Sequence, residues 1–140
     1  KAISYSGAIG LMQIMPSTGK MLAKQEKIEY SQNKLQEDPF YNVQLGSRYI
    51  SDLIKQFDGS YILAISSYNA GPNRVKKWIK TNGDPREEKI DNIDWIEMIP
   101  YKETRSYVKK VLSNMQIYRI LLNPEISDIR LIDDLKKSSI

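Results

Sequence analysis

The sequence contains no cysteine and no histidine. Without cysteine there is no disulfide framework and no thiol nucleophile. Without histidine, Ser–His–Asp and Cys–His catalysis are excluded, as are zinc sites built on His or Cys. Acid–base work is left to carboxylates, lysine and tyrosine. Long apolar runs are also missing: no stretch approaches the ~20 residues of a membrane helix, so no stable membrane insertion is expected. There is no RNP string, no zinc knuckle and no glycine-rich phosphate loop, so nucleic acid is not an expected partner. Repeats and low-complexity tracts are absent. No secretory leader is visible, but the sequence opens on Lys1 rather than Met, so this excludes nothing.

What is present is one domain's worth of chain. Its 140 residues are 41% hydrophobic and 27% charged, ordinary for a soluble globule. A chain of this length buries about two-thirds of its unfolded surface. The net charge of +4 is small enough to be a solvated surface with spare lysines, although it also suits an anionic polymer.

Local signals predict helices joined by short polar loops. Pro16-Ser17-Thr18 opens a first helix running to about Glu26. Asp38-Pro39 is a strong start, with Asp as cap and Pro in the first turn. Apolar or aromatic residues from Tyr41 to Phe57 then recur at helical spacing until Asp58-Gly59. Ser60 caps the next helix, which is apolar nearly all round and is expected to be the buried centre. Asn69-Ala70-Gly71 ends it, and Pro72 opens another reaching Lys80. Residues 81–92 carry Gly83 and Pro85 and read as a loop. A long helix follows Pro100, with Tyr107, Val108, Val111, Leu112, Met115, Tyr118 and Leu122 on one stripe, and Asn123-Pro124 ends it. The charged segment 125–140 frays or holds one short helix. Strand alternation is absent over any useful length, so the expected fold class is all-α.

Three short strings stand out chemically. The first is Gly7-Ala8-Ile9-Gly10-Leu11-Met12-Gln13-Ile14-Met15-Pro16. Its glycines suit positive φ or close approach by another group, and Pro16 restricts Met15 to extended geometry. Gln13 is one amide in an apolar run, and if buried it needs partners for its carbonyl and its NH₂. The second string is Ser67-Tyr68-Asn69-Ala70-Gly71-Pro72. The third runs from Ile96-Glu97-Met98-Ile99-Pro100 through Glu103-Thr104-Arg105 to Tyr107-Val108. Taken alone, the first is a Gly-flanked loop entering a core helix with Gln13 paired to backbone. Tyr68 alone is a helix-core tyrosine, Asn69 a helix-terminal residue binding backbone, and Glu97 an exposed loop carboxylate.

In this order, however, the three strings resemble the soluble lytic transglycosylase (SLT) family over Lys1 to about Leu122. That resemblance implies a lysozyme-like helical fold with a sugar-binding groove. It implies cleavage of peptidoglycan at the β-1,4 bond between N-acetylmuramic acid and N-acetylglucosamine, closing a 1,6-anhydro ring. It also implies no cofactor and no metal, glycan strands as the partner, and a bacterial periplasm or cell-envelope setting. By the same resemblance the glycan-binding residues are Ser4, Gln13, Met15, Tyr68, Asn69 and Glu97, with Leu11, Met15 and Tyr68 building an apolar pocket. Arg105 is expected to clamp a carboxylate, Glu103 or Glu97, while Glu103 and Thr104 serve the helix start. The family's catalytic glutamate precedes the first string and falls a few residues before Lys1. The expectation is therefore an SLT domain over 1–124 lacking its N-terminal part, with possible further domains upstream and a charged tail over 125–140. A catalytically inactive glycan-binding module and a lysozyme-like hydrolase are the alternatives.

Overall fold

The computed structural model describes residues 3–123, 125 and 128–136. Lys1, Pro124 and the last four residues of the charged segment lie outside them. Eight helices are described: α1 (Pro16–Gln25), α2 (Gln32–Glu37), α3 (Pro39–Gln56), α4 (Tyr61–Ala70), α5 (Pro72–Asn82), α6 (Asn92–Glu97), α7 (Lys102–Leu122) and α8 (Leu131–Lys136). Among the described residues, β-structure is limited to two isolated pairings, Ile3 with Ile9 and Ile9 with Ile14. The chain divides into two compact units, Lys1–Asp52 and Leu53–Ile140.

In the first unit the core is built from Ile9, Ile14, Leu22, Leu35, Tyr41 and Leu45. Its helices start where the local chemistry directs. Pro16 occupies the first turn of α1, where its missing N–H costs nothing. The Asp38 carboxylate accepts from the amides of Phe40 and Tyr41 at 3.0 and 3.1 Å, opening α3. The short α2 was not predicted. It carries one apolar anchor, fully buried Leu35, and its start is made by Ser31, whose hydroxyl accepts from Lys34 N–H at 3.2 Å. Tyr41 steadies the approach, donating to the Glu29 carbonyl and accepting from Ser31 N–H.

The second unit is organised around α4, which buries Ile62, Leu63, Ala64, Ile65, Ser66, Ser67 and Ala70. It packs against α5, α7 and α8, and α6 and α8 each pack against α7. Residues 81–92 needed correction at both ends. Helix α5 continues through Asn82, and α6 begins at Asn92 with Asp91 accepting from the amides of Ile93 and Asp94. Fully buried Trp95 holds α6 in place, its indole N–H donating to the Gly83 carbonyl at 2.9 Å. The stripe on α7 also differs from expectation. Its buried line is Thr104, Val108, Leu112 and Gln116, strictly four apart, while Tyr118 and Leu122 face solvent. Gln116 is buried because Asp134 of α8 accepts from its amide at 2.7 Å, and Arg119 pairs with the same carboxylate.

Candidate functional site

In the first unit the segment from Ser4 to Pro16 forms a compact double turn. Ser4 N–H donates to the Ala8 carbonyl, and the Ser4 hydroxyl accepts from Ala8 N–H, both at 2.9 Å. A hydroxyl that accepts one bond can still donate. Ile9 and Ile14 then bond reciprocally at 2.9 and 3.0 Å, closing a tight loop over residues 10–13. Closure requires left-handed backbone. Gly10 takes φ 78, and so does a non-glycine residue, Gln13, at φ 48. Gln13 is exposed, not buried, and its amide N–H donates back to the Gly10 carbonyl at 2.8 Å. The expected backbone pairing is therefore present, but on the surface. Met15, extended before Pro16, is 40% exposed, and Leu11 is 72% exposed. A hollow of about 330 Å³ opens beside the loop, lined in part by Gly10, Leu11, Leu35 and Asn42. Ser4, Gln13 and Met15 thus share one loop.

In the second unit Tyr68 is half-buried near the end of α4 and Asn69 is exposed. The helix stops at Gly71, whose φ of 90 no side-chain-bearing residue holds cheaply. The Arg74 guanidinium donates to the Ala70 carbonyl at 2.9 Å and lies over the Tyr101 ring. Asn69 is not bonded to backbone as a terminal residue would be. Its side-chain oxygen accepts from the buried Thr104 hydroxyl at 2.6 Å, 35 residues away in sequence. The Thr104 hydroxyl is therefore used by Asn69, and no side-chain hydrogen bond caps the start of α7.

Glu97 ends α6 and is exposed. The carboxylate clamp expected of Arg105 is not formed: the Arg105 guanidinium donates to the Glu97 main-chain carbonyl at 2.7 Å. The carboxylate is held instead by Lys109, one turn further along α7. That hydrogen bond, with added attraction from Lys109 and Arg105, keeps the Glu97 carboxyl below its ordinary range against a smaller opposing effect of desolvation. Glu97 is therefore ionised at neutral pH and is in the wrong form for a general acid. Lys109 escaped the sequence reading, although Arg105 and Lys109 are four apart on one helix face. Among the described residues, no group of three or more His, Cys, Asp or Glu side chains could hold a metal ion. No described helix is long and apolar enough to cross a membrane.

Comparison with known proteins defines the class. The transglycosylase SLT domain family matches residues 1–91, and the soluble lytic transglycosylase helical domain matches residues 98–125. The chain belongs to the transglycosylase SLT domain family, with an all-α, lysozyme-like fold. It is 38% identical to the soluble lytic murein transglycosylase of Escherichia coli K12 over 87% of its own length and 18% of that protein. An inactive mutant of lytic transglycosylase Slt from Pseudomonas aeruginosa superposes with a TM-score of 0.79 at 36% identity, over 98% of this chain and 21% of that one. The 70-kDa soluble lytic transglycosylase in complex with bulgecin A superposes with a TM-score of 0.77 at 33% identity, over 93% of this chain and 21% of that one. The chain thus spans about a fifth of the length of these relatives.

Proposed function

We propose that this chain is the glycan-binding body of a peptidoglycan lytic transglycosylase. It acts on the β-1,4 bond between N-acetylmuramic acid and N-acetylglucosamine and leaves a 1,6-anhydromuramic end. The observation that carries the reading is the exposed Gln13 held at φ 48 on the Ile9–Ile14 loop. A non-glycine residue in left-handed backbone is costly, and such strain gathers at functional sites. Here it sets the Gln13 amide on the surface, one N–H returned to the Gly10 carbonyl, where a sugar's acetamido or hydroxyl groups can meet it. Met15 supplies a deformable contact for a ring face. Ser4, Tyr68, Asn69 and Glu97 complete the proposed glycan contacts.

The chemistry needs one carboxyl encoded upstream of Lys1. Protonated, it delivers its proton to the leaving O4 of N-acetylglucosamine as the C1–O4 bond breaks. The muramic acetamido oxygen supports the cationic C1. The same group, now carboxylate, takes the proton from the C6 hydroxyl as O6 bonds to C1. An internal hydroxyl at high effective concentration outcompetes water. The acid must be neutral near pH 7, which requires apolar surroundings. Glu97 is unsuited to that role because it is exposed and ionised at neutral pH, with Lys109 lowering its carboxyl further. The E. coli relative named above is a soluble lytic murein transglycosylase, and the P. aeruginosa structure is of an inactive mutant of a lytic transglycosylase. The setting proposed on this substrate is the bacterial periplasm or envelope, with further domains preceding the chain.

The test compares turnover of purified peptidoglycan by the 140-residue chain and by a version extended upstream through the encoded glutamate. A positioned general acid is worth about 10²–10⁴-fold, so the extended protein should be faster by that factor. Equal turnover would overturn the assignment and move the acid into this chain.

A further inference from the structure

Helix α3 carries a feature that none of the proposed glycan contacts uses. Asn42 is 1% exposed, and its side-chain amide is fully engaged outside its own helix. Its oxygen accepts from Met12 N–H at 2.7 Å, and its NH₂ donates to the carbonyls of Ile9 and Leu35, each at 2.9 Å. Ile9 closes the tight loop just before Gly10, Met12 lies within it, and Leu35 belongs to α2. One buried amide therefore ties both arms of the loop and a neighbouring helix to α3.

The loop is shaped to admit it. A Cβ on Gly10 would overlap the Asn42 amide and lie 2.9 Å from the Leu35 carbonyl oxygen. Glycine at position 10 is thus required twice, by φ 78 and by the approach of Asn42. One helical turn after Asn42 stands Gly46, where a Cβ would lie 2.5 Å from Met12 Cβ and 2.6 Å from its Cγ. Asn42 and Gly46 are four apart and share one face of α3. The first fixes the backbone of Met12 and the second leaves room for its side chain. Met12 is the residue immediately before Gln13, so whatever fixes Met12 fixes the strained residue that follows it.

We infer that Asn42 and Gly46 are positioning residues: together they form a mould on α3 that holds Gln13 and Met15 in their glycan-reading geometry. This rests on the proposal that the loop binds glycan. Neither residue touches the sugar. Their effect is to suppress loop motion of the size that ruins recognition, since a misplacement of about 1 Å can cost on the order of 100-fold. A glycine in the middle of an 18-residue helix otherwise weakens it relative to alanine, and here the bare backbone is used by Met12.

The experiment measures binding of a tetrasaccharide of alternating N-acetylglucosamine and N-acetylmuramic acid to the 140-residue chain, well below each variant's Tm. It compares wild type with Asn42→Asp, Gly46→Ala, Gln13→Ala and a core control, Leu22→Ala. Leu22→Ala removes fully buried apolar volume from the same unit and leaves all three Asn42 bonds intact. Hydrogen exchange at the Met12 amide is read alongside. Asn42→Asp keeps the acceptor for Met12 N–H but sets a carboxylate against two carbonyls. It should weaken binding roughly 10- to 100-fold. Gly46→Ala should do the same when measured well below its Tm, and it carries the test if Asn42→Asp fails to fold. Both should speed Met12 exchange while leaving the amides of α4 protected. Wild-type affinity in Asn42→Asp and Gly46→Ala alongside weak binding in Gln13→Ala overturns the mould and spares the glycan reading. Wild-type affinity in Gln13→Ala as well overturns both. A loss in Leu22→Ala equal to that in Gly46→Ala also overturns the mould, because Asn42 and Gly46 would then serve stability alone.

Discussion

At Tyr68 one side chain has to satisfy both the core of α4 and the proposed chemistry. A half-buried ring at the end of a buried helix packs whether or not its hydroxyl is used. Its proposed role is to hold the upstream carboxyl, so Tyr68→Phe should lower kcat and leave KM nearly unchanged. One lost hydrogen bond of this kind is worth on the order of 1–3 kcal/mol, or roughly 5- to 150-fold in rate. Steady-state kinetics on the extended protein measure this. Glu97 should behave differently. Glu97→Gln removes a charge proposed to face sugar hydroxyls, and should raise KM roughly 10-fold with a smaller fall in kcat. The pair can be checked directly. Lys109→Met should let the Glu97 carboxyl rise toward the ordinary glutamate range, which an NMR titration reads; an unchanged midpoint would mean Lys109 does not hold it. At this scale the sequence was legible wherever a residue's backbone conformation follows from its type and neighbours, as for Gly10, Gly71 and Met15 before Pro16. It was illegible wherever the role depends on a distant partner. Nothing near Asn42 points to Met12, and nothing near Thr104 points to Asn69, because a side-chain bond across 30 or 35 positions leaves no local trace.

Among the elements, the long helices announced themselves through caps, prolines and periodicity, and two of the three six-residue helices, α2 and α6, did not. Helix α2 has one apolar anchor and α6 depends on Trp95 reaching Gly83, so neither shows a full turn of pattern. The cap of α6 gives a clean test. Asp91→Ala removes the acceptor for Ile93 and Asp94 and should cost about 1 kcal/mol by thermal melting. A larger consequence is expected at α8. Asp134 is 8% exposed at its side chain and satisfies both Gln116 and Arg119. Asp134→Ala would remove the carboxylate that Gln116 and Arg119 share, leaving them the Leu112 carbonyl and each other, and should cost about 1–3 kcal/mol by thermal melting. The mismatched α7 stripe has the same origin: periodicity alone favours Tyr118, but the Asp134 carboxylate makes Gln116 the better residue to bury.

For the molecule as a whole, stability should fall in acid for an identifiable reason. Arg86 grips Asp84 with hydrogen bonds and also pairs with Asp58, holding the Asp84 carboxyl below its ordinary range against a smaller opposing effect of burial. Because the folded value is lowered, this contribution is complete above the unfolded aspartate value of about 3.9 and is lost as pH falls through the lower folded value. Asp84→Asn should therefore melt lower than wild type near pH 7, and the gap should close below about pH 4; a constant gap across that range would contradict it. The fold class was legible from the sequence because helical signals and three ordered strings agree at every level. The chemistry was legible only as an expectation, since it turns on a carboxyl proposed to precede Lys1 and not on a residue of this sequence. The most direct test of the central claim is mass spectrometry of muropeptides released from purified peptidoglycan by the upstream-extended protein. The prediction is products ending in 1,6-anhydromuramic acid, one water lighter than hydrolytic products. Reducing-end N-acetylmuramic acid as the dominant product would contradict it and favour a lysozyme-like hydrolase.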